Sequence, residues 1–343
     1  MKFPLADWID SHPGCRYNLA KSGMAGSVDH PIPGPRAIRT ADPARLRREL
    51  AAIVGVAPDR LFLTHGATEA NAWVMHYLAD RARPRTAVCR VRLPEYPPLF
   101  DGPRTAGFRV ATDRRPADLA IVSLPRNPEG VDWTDDKLTS WSTGARHLLI
   151  DETFREFGHL RSRADLDRRG VWTTGSFTKF YGGDDLRVGY VTTPEEERDG
   201  FDRFAGLFSD DIPPTSLAGA LLTLEHRARF HRRVDRVMRA SRGALARAFP
   251  HGPEPVGPVW FDRLPGHDTR AIAQRLLRRS VLVCPGAYFG DPTGIRLCLT
   301  RRTFRTDLAA YLGGRPGAAA TGAADRTARR DRGASDRARA GRA

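Results

Sequence analysis

Short apolar runs alternate with helical patterns between about Ala44 and Thr192, and this alternation constrains the fold more than any other feature. Each run ends in polar or glycine-rich residues. This is typical of an α/β protein that places its ligands at the carboxyl edge of an open sheet. The runs predict strands at Leu61–Thr64, Thr86–Val91, Leu119–Leu124, His147–Ile150, Val171–Thr174 and Arg187–Thr192.

The character of the sequence changes after Pro213. A long helical pattern over residues 215–249 precedes three short candidate strands, and together they predict a smaller α+β domain. These strands are Val259–Phe261, Val281–Val283 and Gly294–Leu299. The predicted organisation is an N-terminal segment (1–35) that packs on the small domain, a large domain (36–210), the small domain (211–314) and a disordered Arg/Ala/Gly-rich tail (315–343).

Composition narrows the classes of function. The sequence has no long apolar stretch and no export-type start, so a cytoplasmic location without membrane contact is expected. The four cysteines are far apart and predict neither a disulfide framework nor a metal site. Much of the formal charge of +15 is spread along the chain, and residues 316–343 hold seven arginines against three aspartates. Such a tail buries too little apolar surface to fold, although an electrostatic arm for a polyanion is an alternative.

Lysine is scarce, since the 55 basic residues include only Lys2, Lys21, Lys137 and Lys179. Lys179 lies among small and aromatic residues, and a desolvated amine can lose its proton whereas a guanidinium cannot. Ser176 precedes it by three residues and Arg187 follows it by eight. This spacing predicts that hydroxyl and guanidinium bind a phosphate while the amine forms an imine.

Three further segments favour the same kind of site. Gly66 and Thr68 lie between a predicted strand and a helix start, which suits a phosphate cradle or an ordinary capped turn. Prolines flank Tyr96 and can hold its ring for stacking, and Asn127 follows a strand, although both also fit plain turns. Asp151 ends an apolar strand and faces either a ligand pocket or solvent at a helix start.

In this order, these motifs resemble the aspartate aminotransferase superfamily, the class I/II, fold type I enzymes that use pyridoxal 5′-phosphate (PLP), from about Ala44 to Leu299. The resemblance implies a three-layer α/β/α large domain with a mostly parallel sheet plus a smaller α+β domain, and a homodimer. It implies that Lys179 carries the cofactor as a Schiff base and that Asp151 pairs with the pyridine nitrogen.

The resemblance also implies roles for the remaining residues. Tyr96 stacks on the cofactor ring and Asn127 lies beside the ring oxygen. Arg296 clamps the substrate α-carboxylate, and Gly23 lies where the N-terminal segment covers the substrate. The phosphate ligands are Ala67, Thr68, Ser176 and Arg187.

Two positions depart from the family pattern. Phe154 stands where a tyrosine usually donates to the cofactor's 3′ oxygen, and Asp185 replaces a common glycine. The expected activity is amino transfer from an amino acid through a quinonoid intermediate. The alternative is elimination, cyclisation, decarboxylation or oxidation of a specialised amino acid, since Pro4–Ile9 followed by Ser22 and Gly23 is similar to the start of capreomycidine-synthase-like enzymes, which act on arginine derivatives.

A ligand-sensing regulator is a third hypothesis. Related regulators carry a DNA-binding domain before the aminotransferase-like part, and the roughly 35 residues present there leave no room for one. Nucleic acid is therefore not expected as a partner.

Overall fold

The computed structural model describes residues 3–82, 87–208 and 211–316. The strands in these ranges, numbered along the chain, are β1 (Tyr17–Asn18), β2 (Leu61–Thr64), β3 (Val88–Val91), β4 (Arg109–Ala111), β5 (Ala117–Ser123), β6 (Ala145–Asp151), β7 (Val171–Ser176), β8 (Gly189–Thr192), β9 (Val259–Arg263), β10 (Val281–Leu282), β11 (Cys284–Pro285) and β12 (Gly294–Cys298). The α-helices are α1 (Pro4–Asp10), α2 (Pro35–Arg39), α3 (Pro43–Val54), α4 (Ala67–Arg81), α5 (Pro97–Thr105), α6 (Asp135–Ser142), α7 (Arg198–Ala205), α8 (Pro214–Glu225), α9 (Arg227–Ala248), α10 (Thr269–Leu277) and α11 (Phe304–Leu312).

The large sheet has the strand order β2-β8-β7-β6-β5-β3-β4. Its strands from β7 to β4 run parallel, and β8 is antiparallel to both of its neighbours. Alternate residues of β5 enter different cores: Leu119 and Ile121 pack with α4, whereas Ala120 and Val122 pack with α6. Side chains on successive strand residues point to opposite faces, so helices cover both faces of the sheet. The predicted α/β fold is confirmed, and the parallel strands end at one common edge.

The C-terminal region, residues 211–316, contains the antiparallel sheet β11-β12-β9. The N-terminal segment lies against this region, because β1 pairs with β10 in parallel and Trp8 Nε1 donates to the Val283 carbonyl at 2.8 Å. These contacts place α1 beside the edge of the large sheet. The domain boundaries themselves stay a prediction.

Three details differ from the sequence-based expectations. The helical pattern over 215–249 divides at His226, because α8 packs against α2 and α3 whereas α9 packs against α11. Arg187 has a left-handed backbone with φ 50°, so β8 begins at Gly189 instead. Arg315, the first residue of the predicted tail, forms an ion pair with Asp262 at 2.6 Å. From residue 317 onward, the predicted tail lies outside the described residues. In the described ranges, every helix is too short or too polar to cross a bilayer.

Candidate active site

A cavity of about 730 Å³ lies at the carboxyl edge of the large sheet. Asp151 and Ser176, the last residues of β6 and β7, form part of its wall. Every residue predicted to contact cofactor or substrate lines this cavity: Gly23, Ala67, Thr68, Tyr96, Asn127, Asp151, Ser176, Lys179, Arg187 and Arg296. The fold thus brings residues from the N-terminal segment, the large sheet and the C-terminal region into one site.

The turn between β2 and α4 forms one end of the cavity. Gly66 has φ 100°, and a side chain there would come within 3.0 Å of an Arg187 guanidinium nitrogen. Arg187 Nη2 donates to the His65 carbonyl at 3.1 Å, which holds the guanidinium beside the first turn of α4. Gly66 offers no side chain to cap the N–H groups from Ala67 onward, and the helix dipole favours negative charge there. This end of the cavity is therefore suited to an anion.

Two hydroxyl groups stand at the same end. Ser176 Oγ lies 2.9 Å from Thr178 Oγ1 and accepts from the Thr178 backbone N–H at 3.1 Å. Both residues line the cavity together with Arg187. Hydroxyls, a guanidinium and a helix N-terminus are the donors that bind a phosphate group in proteins.

Asp151 is buried and held from two sides. Asn71 Nδ2 donates to its Oδ2 at 2.9 Å, and the Thr153 N–H donates to its Oδ1 at 2.9 Å. Thr174 Oγ1 donates to Asn71 Oδ1 at 2.8 Å, which fixes the orientation of the amide. Burial raises the pKa of Asp151, while these donors and the Lys179 charge act to lower it. A cation facing this carboxylate would complete its pairing.

Asn71 is a functional candidate that the sequence interpretation did not assign. It lies within α4, where asparagine is a poor helix former, and it is only 3 % exposed. A buried asparagine inside a helix needs hydrogen-bond partners. The asparagine within the predicted helix was therefore the sequence signal that could have identified this residue. Its actual partner, Asp151, becomes visible only once α4 is packed on the sheet.

Lys179 is half-buried in the cavity wall. Its carbonyl accepts from the Met24 N–H at 2.8 Å, and Gly23 packs close to the lysine side chain, where an added Cβ would lie 3.5 Å from Lys179 Cδ. Burial lowers the pKa of Lys179, and the Asp184 carboxylate opposes this effect. A lower pKa leaves more of the amine neutral, which is the nucleophilic form.

Arg296 on β12 is buried at the opposite side of the cavity. Its Nη1 donates to Asn127 Oδ1 at 3.1 Å, and its Nη2 donates to the Ala20 carbonyl at 2.7 Å. The guanidinium lies 4.8 Å above the ring of Phe289. Among the described residues no carboxylate pairs with Arg296, and its Nε has no hydrogen-bond partner. A buried cation with a free donor is suited to an anionic group in the cavity.

Tyr96 and Phe154 are the aromatic residues of the predicted site. Tyr96 precedes α5, and burial together with the Asp151 charge raises its pKa to about 12. Phe154 also lines the cavity and packs edge-on against Phe157 with ring centroids 6.1 Å apart. The cavity wall therefore carries a phenyl ring at position 154. Asp185 is exposed and is not part of the wall.

The N-terminal segment contributes more to the cavity than Gly23 alone. One face of α1 and the residue before it line the site, with Phe3 edge-on to Tyr96 at 5.9 Å. The sequence interpretation did not assign these residues, because nothing local to a short helix shows what covers it. They are Phe3, Leu5, Ala6, Ile9 and Asp10.

Comparison with known proteins identifies the family. The family model described as aminotransferase class I and II matches residues 110–310. Histidinol-phosphate aminotransferase 1 of Bordetella parapertussis is 30% identical over 71% of this chain and 74% of its own length. Capreomycidine synthase of Streptomyces vinaceus is 29% identical over 86% of this chain and 88% of its own length.

The fold has counterparts among solved structures. Aspartate aminotransferase from Thermus thermophilus, solved with maleate, superposes with a TM-score of 0.77 at 17% identity, covering 92% of this chain and 97% of that one. At this identity the likeness concerns the fold alone. Together with the family match, it supports the fold described above. The chain belongs to the aminotransferase class I and II family, whose enzymes use PLP.

Proposed function

We propose that this protein is a PLP-dependent aminotransferase that acts on an amino acid. The observation that carries the proposal is that an amine, a carboxylate and a buried guanidinium line one cavity: Lys179, Asp151 and Arg296. These are the groups that attach the aldehyde of PLP, pair with its ring nitrogen and bind a substrate carboxylate.

The residues present fit the cofactor. The first turn of α4 with Ala67 and Thr68, the Ser176 hydroxyl and the Arg187 guanidinium line one end of the cavity and supply the kinds of donor that bind a phosphate. The close approach of Gly66 to Arg187 explains why this turn excludes a side chain. Tyr96 would pack against the ring, Asn127 would lie near its oxygen, and Asp151 would face its nitrogen.

PLP, when bound, supplies an aldehyde that joins an amine and a ring that accepts electrons from the adjoining carbon. Lys179 would hold that aldehyde, and its lowered pKa favours the neutral amine that this requires. In amino transfer, the free Lys179 amine would take the proton from the substrate Cα and would deliver it to the carbon of the former aldehyde.

Arg296 positions the substrate for this proton transfer. Its buried guanidinium has no carboxylate partner among the described residues, so a substrate carboxylate meets an unneutralised charge away from bulk water. Asn127 holds one guanidinium nitrogen and the Ala20 carbonyl holds the other, which fixes the orientation of the clamp. A fixed carboxylate places Cα relative to Lys179.

A second candidate function is a PLP reaction without amino transfer. Phe154 favours it, because a phenyl ring in the wall cannot donate a hydrogen bond to the cofactor. The similarity to capreomycidine synthase over most of both chains also supports it. In this case the same residues would activate the substrate Cα, and the bond broken next would be a different one.

Incubation of the purified, PLP-loaded protein with an amino acid panel tests both candidates. Amino transfer predicts that absorbance shows the amine form of the cofactor and that mass analysis finds the matching keto acid. An unchanged cofactor spectrum with a cyclised, decarboxylated or eliminated product supports the second candidate instead. A protein that neither binds PLP nor changes any amino acid would contradict both.

A homodimer is proposed as the assembly. Four large apolar side chains are exposed in the described part of the chain: Ile32 at 92%, Leu207 at 78%, Phe208 at 62% and Leu93 at 37%. Exposed apolar side chains favour contact with another protein surface. Sedimentation equilibrium should give twice the chain mass, whereas a monomer at every tested concentration would reject the dimer.

A further inference from the structure

A buried ion pair lies directly behind the cavity. Glu95 precedes α5 and Arg126 follows β5, and both side chains have zero exposure to solvent. Arg126 Nη1 is 2.5 Å from Glu95 Oε2. Burying two charges costs desolvation energy that a single contact seldom recovers, so stability alone is a weak reason for such a pair.

Every polar group of the pair has structured partners. Glu95 accepts from the Tyr96 N–H at 2.7 Å, from the Ser123 N–H at 3.0 Å and from Ser123 Oγ at 2.5 Å. Arg126 Nη2 donates to the carbonyls of Arg92 at 2.9 Å and Pro94 at 2.5 Å. The pair therefore fastens the segment after β3 to the segment after β5, at the edge where the cavity lies.

The pair contacts the site residues through short chains of hydrogen bonds. Tyr96 is held by its own N–H, and the Asn127 N–H donates at 2.9 Å to the same Ser123 hydroxyl that Glu95 binds. The Glu95 N–H donates at 2.9 Å to the carbonyl of Phe289, whose ring lies under Arg296. Asn127 contacts Arg296 from the other side. One ion pair thus lies behind Tyr96, Asn127 and Arg296.

We infer that Glu95 and Arg126 are positioning residues that set the geometry of the carboxylate clamp relative to the cofactor ring. They fix Tyr96 and Asn127 on the large sheet, and they align Arg296 through Asn127 and Phe289. The inference rests on the proposed function. Replacing a residue that holds a ligand-contacting side chain in place commonly changes binding or activity by about 10–100-fold.

Two small reagents test this without knowledge of the natural substrate. Aminooxyacetate and O-methylhydroxylamine both react with the aldehyde of bound PLP, but only aminooxyacetate carries a carboxylate. The reagent ratio, defined as the rate constant for aminooxyacetate divided by that for O-methylhydroxylamine, therefore reports how well the site recognises a carboxylate. It is measured for the PLP-loaded wild type, Glu95→Gln, Arg126→Met and the double variant, alongside the free energy of unfolding and the pH titration of cofactor absorbance.

Positioning and mere stabilisation predict different results. Arg126→Met leaves the Glu95 charge buried without its cation, and Glu95→Gln leaves Arg126 with only the 3.4 Å contact between its Nε and Glu129. Each single variant should therefore lose stability, whereas the double variant should regain much of it. If the pair positions the clamp, the reagent ratio falls about tenfold in the single variants and stays low in the double variant. Arg126→Lys, which keeps the charge but loses the forked donor geometry, should fold and also lower the ratio.

Arg315→Gln is the matched control, because it breaks the ion pair with buried Asp262 away from the cavity. It should lower stability and leave the ratio and the titration unchanged. A double variant with the wild-type ratio would overturn the positioning role. If the wild type itself does not bind PLP or does not distinguish the two reagents, the proposed function fails instead.

Discussion

The cofactor wall of the cavity comes from consecutive strand ends of one sheet, whereas the substrate wall opposite is assembled from segments far apart in the sequence. We define the cofactor wall as Ala67, Thr68, Asp151, Ser176, Lys179 and Arg187, and the substrate wall as Gly23, Arg296 and the cavity face of α1. The first wall exists once the parallel strands align. The second requires β12 and the N-terminal segment to close over it.

The two walls also differ in charge. On the cofactor wall, the Lys179 charge acts on the Asp151 carboxylate and Arg187 lines the same cavity, so opposite charges are present in the protein itself. On the substrate wall, the described contacts of Arg296 are an amide, a carbonyl, a thiol and an aromatic ring. The cofactor wall is therefore balanced in charge within the protein, whereas the substrate wall is completed by a ligand that brings its own negative charge.

Replacing the amine of the cofactor wall should have the largest effect. Lys179→Ala removes the group that binds the aldehyde and moves the Cα proton, and we expect product formation to fall by roughly 10³-fold or more. Borohydride reduction followed by peptide mass analysis should label position 179 in the wild type and not in the variant. Lys137→Ala, an exposed change beside Trp133, is the control and should behave as wild type. Undiminished turnover in Lys179→Ala would contradict a role for Lys179 and the cofactor wall in the reaction.

Replacing the guanidinium of the substrate wall should have the next largest effect. Arg296→Met loses charged hydrogen bonds worth about 1.5–3 kcal/mol, which corresponds to roughly 10–100-fold in kcat/KM. The loss should be confined to reagents with a carboxylate, so aminooxyacetate slows while O-methylhydroxylamine does not. Arg270→Met, an exposed change on α10, is the matched control. Equal slowing of both reagents would mean that Arg296 maintains the shape of the site and does not bind the carboxylate.

The contrast between the walls also explains what the sequence could show. Asp151 directly follows the predicted strand His147–Ile150, where the α/β rhythm alone indicates a ligand edge, and Lys179 stands out by its small and aromatic neighbours. The contact of Asn71 with Asp151 depends on how α4 packs, and the Glu95–Arg126 pair depends on which strands are neighbours. Such contacts join residues that are distant in sequence, so no local pattern carries them.

Two further features of the fold, the strand β4 and the division between α8 and α9, were not predicted from the sequence. The strand β4 is only three residues long and half exposed, so its apolar run is too short to stand out. The division between α8 and α9 at His226 has no glycine or proline to mark it, since it follows from the different packing partners of the two helices. Local sequence patterns therefore predict a helix or strand well where nearby residues mark its ends, and poorly where packing against distant residues sets them.

Asp151→Asn should separate cofactor binding from stability. Burial raises the pKa of Asp151 in the protein without cofactor, so ionising it opposes folding, and the free energy of unfolding falls as pH rises from the unfolded pKa through the folded one. Asparagine does not ionise, and its one carbonyl oxygen can accept from the Thr153 N–H. Its NH2 group takes the place of the oxygen that faces Asn71, so this contact is kept when the Asn71 amide turns over and the Thr174 hydroxyl accepts instead of donating. At neutral pH, the cofactor-free variant should be at least as stable as wild type, yet bind PLP about tenfold more weakly. Thermal unfolding and PLP titration measure both, with exposed Asp185→Asn as control; a clear loss of cofactor-free stability would contradict the burial argument.

Phe154→Tyr should have the smallest effect on the protein, and its absorbance titration tests whether residue 154 belongs to the cofactor wall. A phenol at this position of the cavity would donate to the cofactor oxygen, which stabilises that oxygen's ionised form and weakens its hold on the neighbouring proton. A hydrogen bond worth about 1 kcal/mol lowers the midpoint of the absorbance titration by roughly one pH unit. Phe157→Tyr, one ring farther from the cavity, is the matched control and should leave the midpoint unchanged. A midpoint that moves only in Phe154→Tyr places residue 154 on the cofactor wall. If both variants leave the titration at its wild-type position, Phe154 acts as part of the apolar core, and the case it makes for a reaction other than amino transfer disappears.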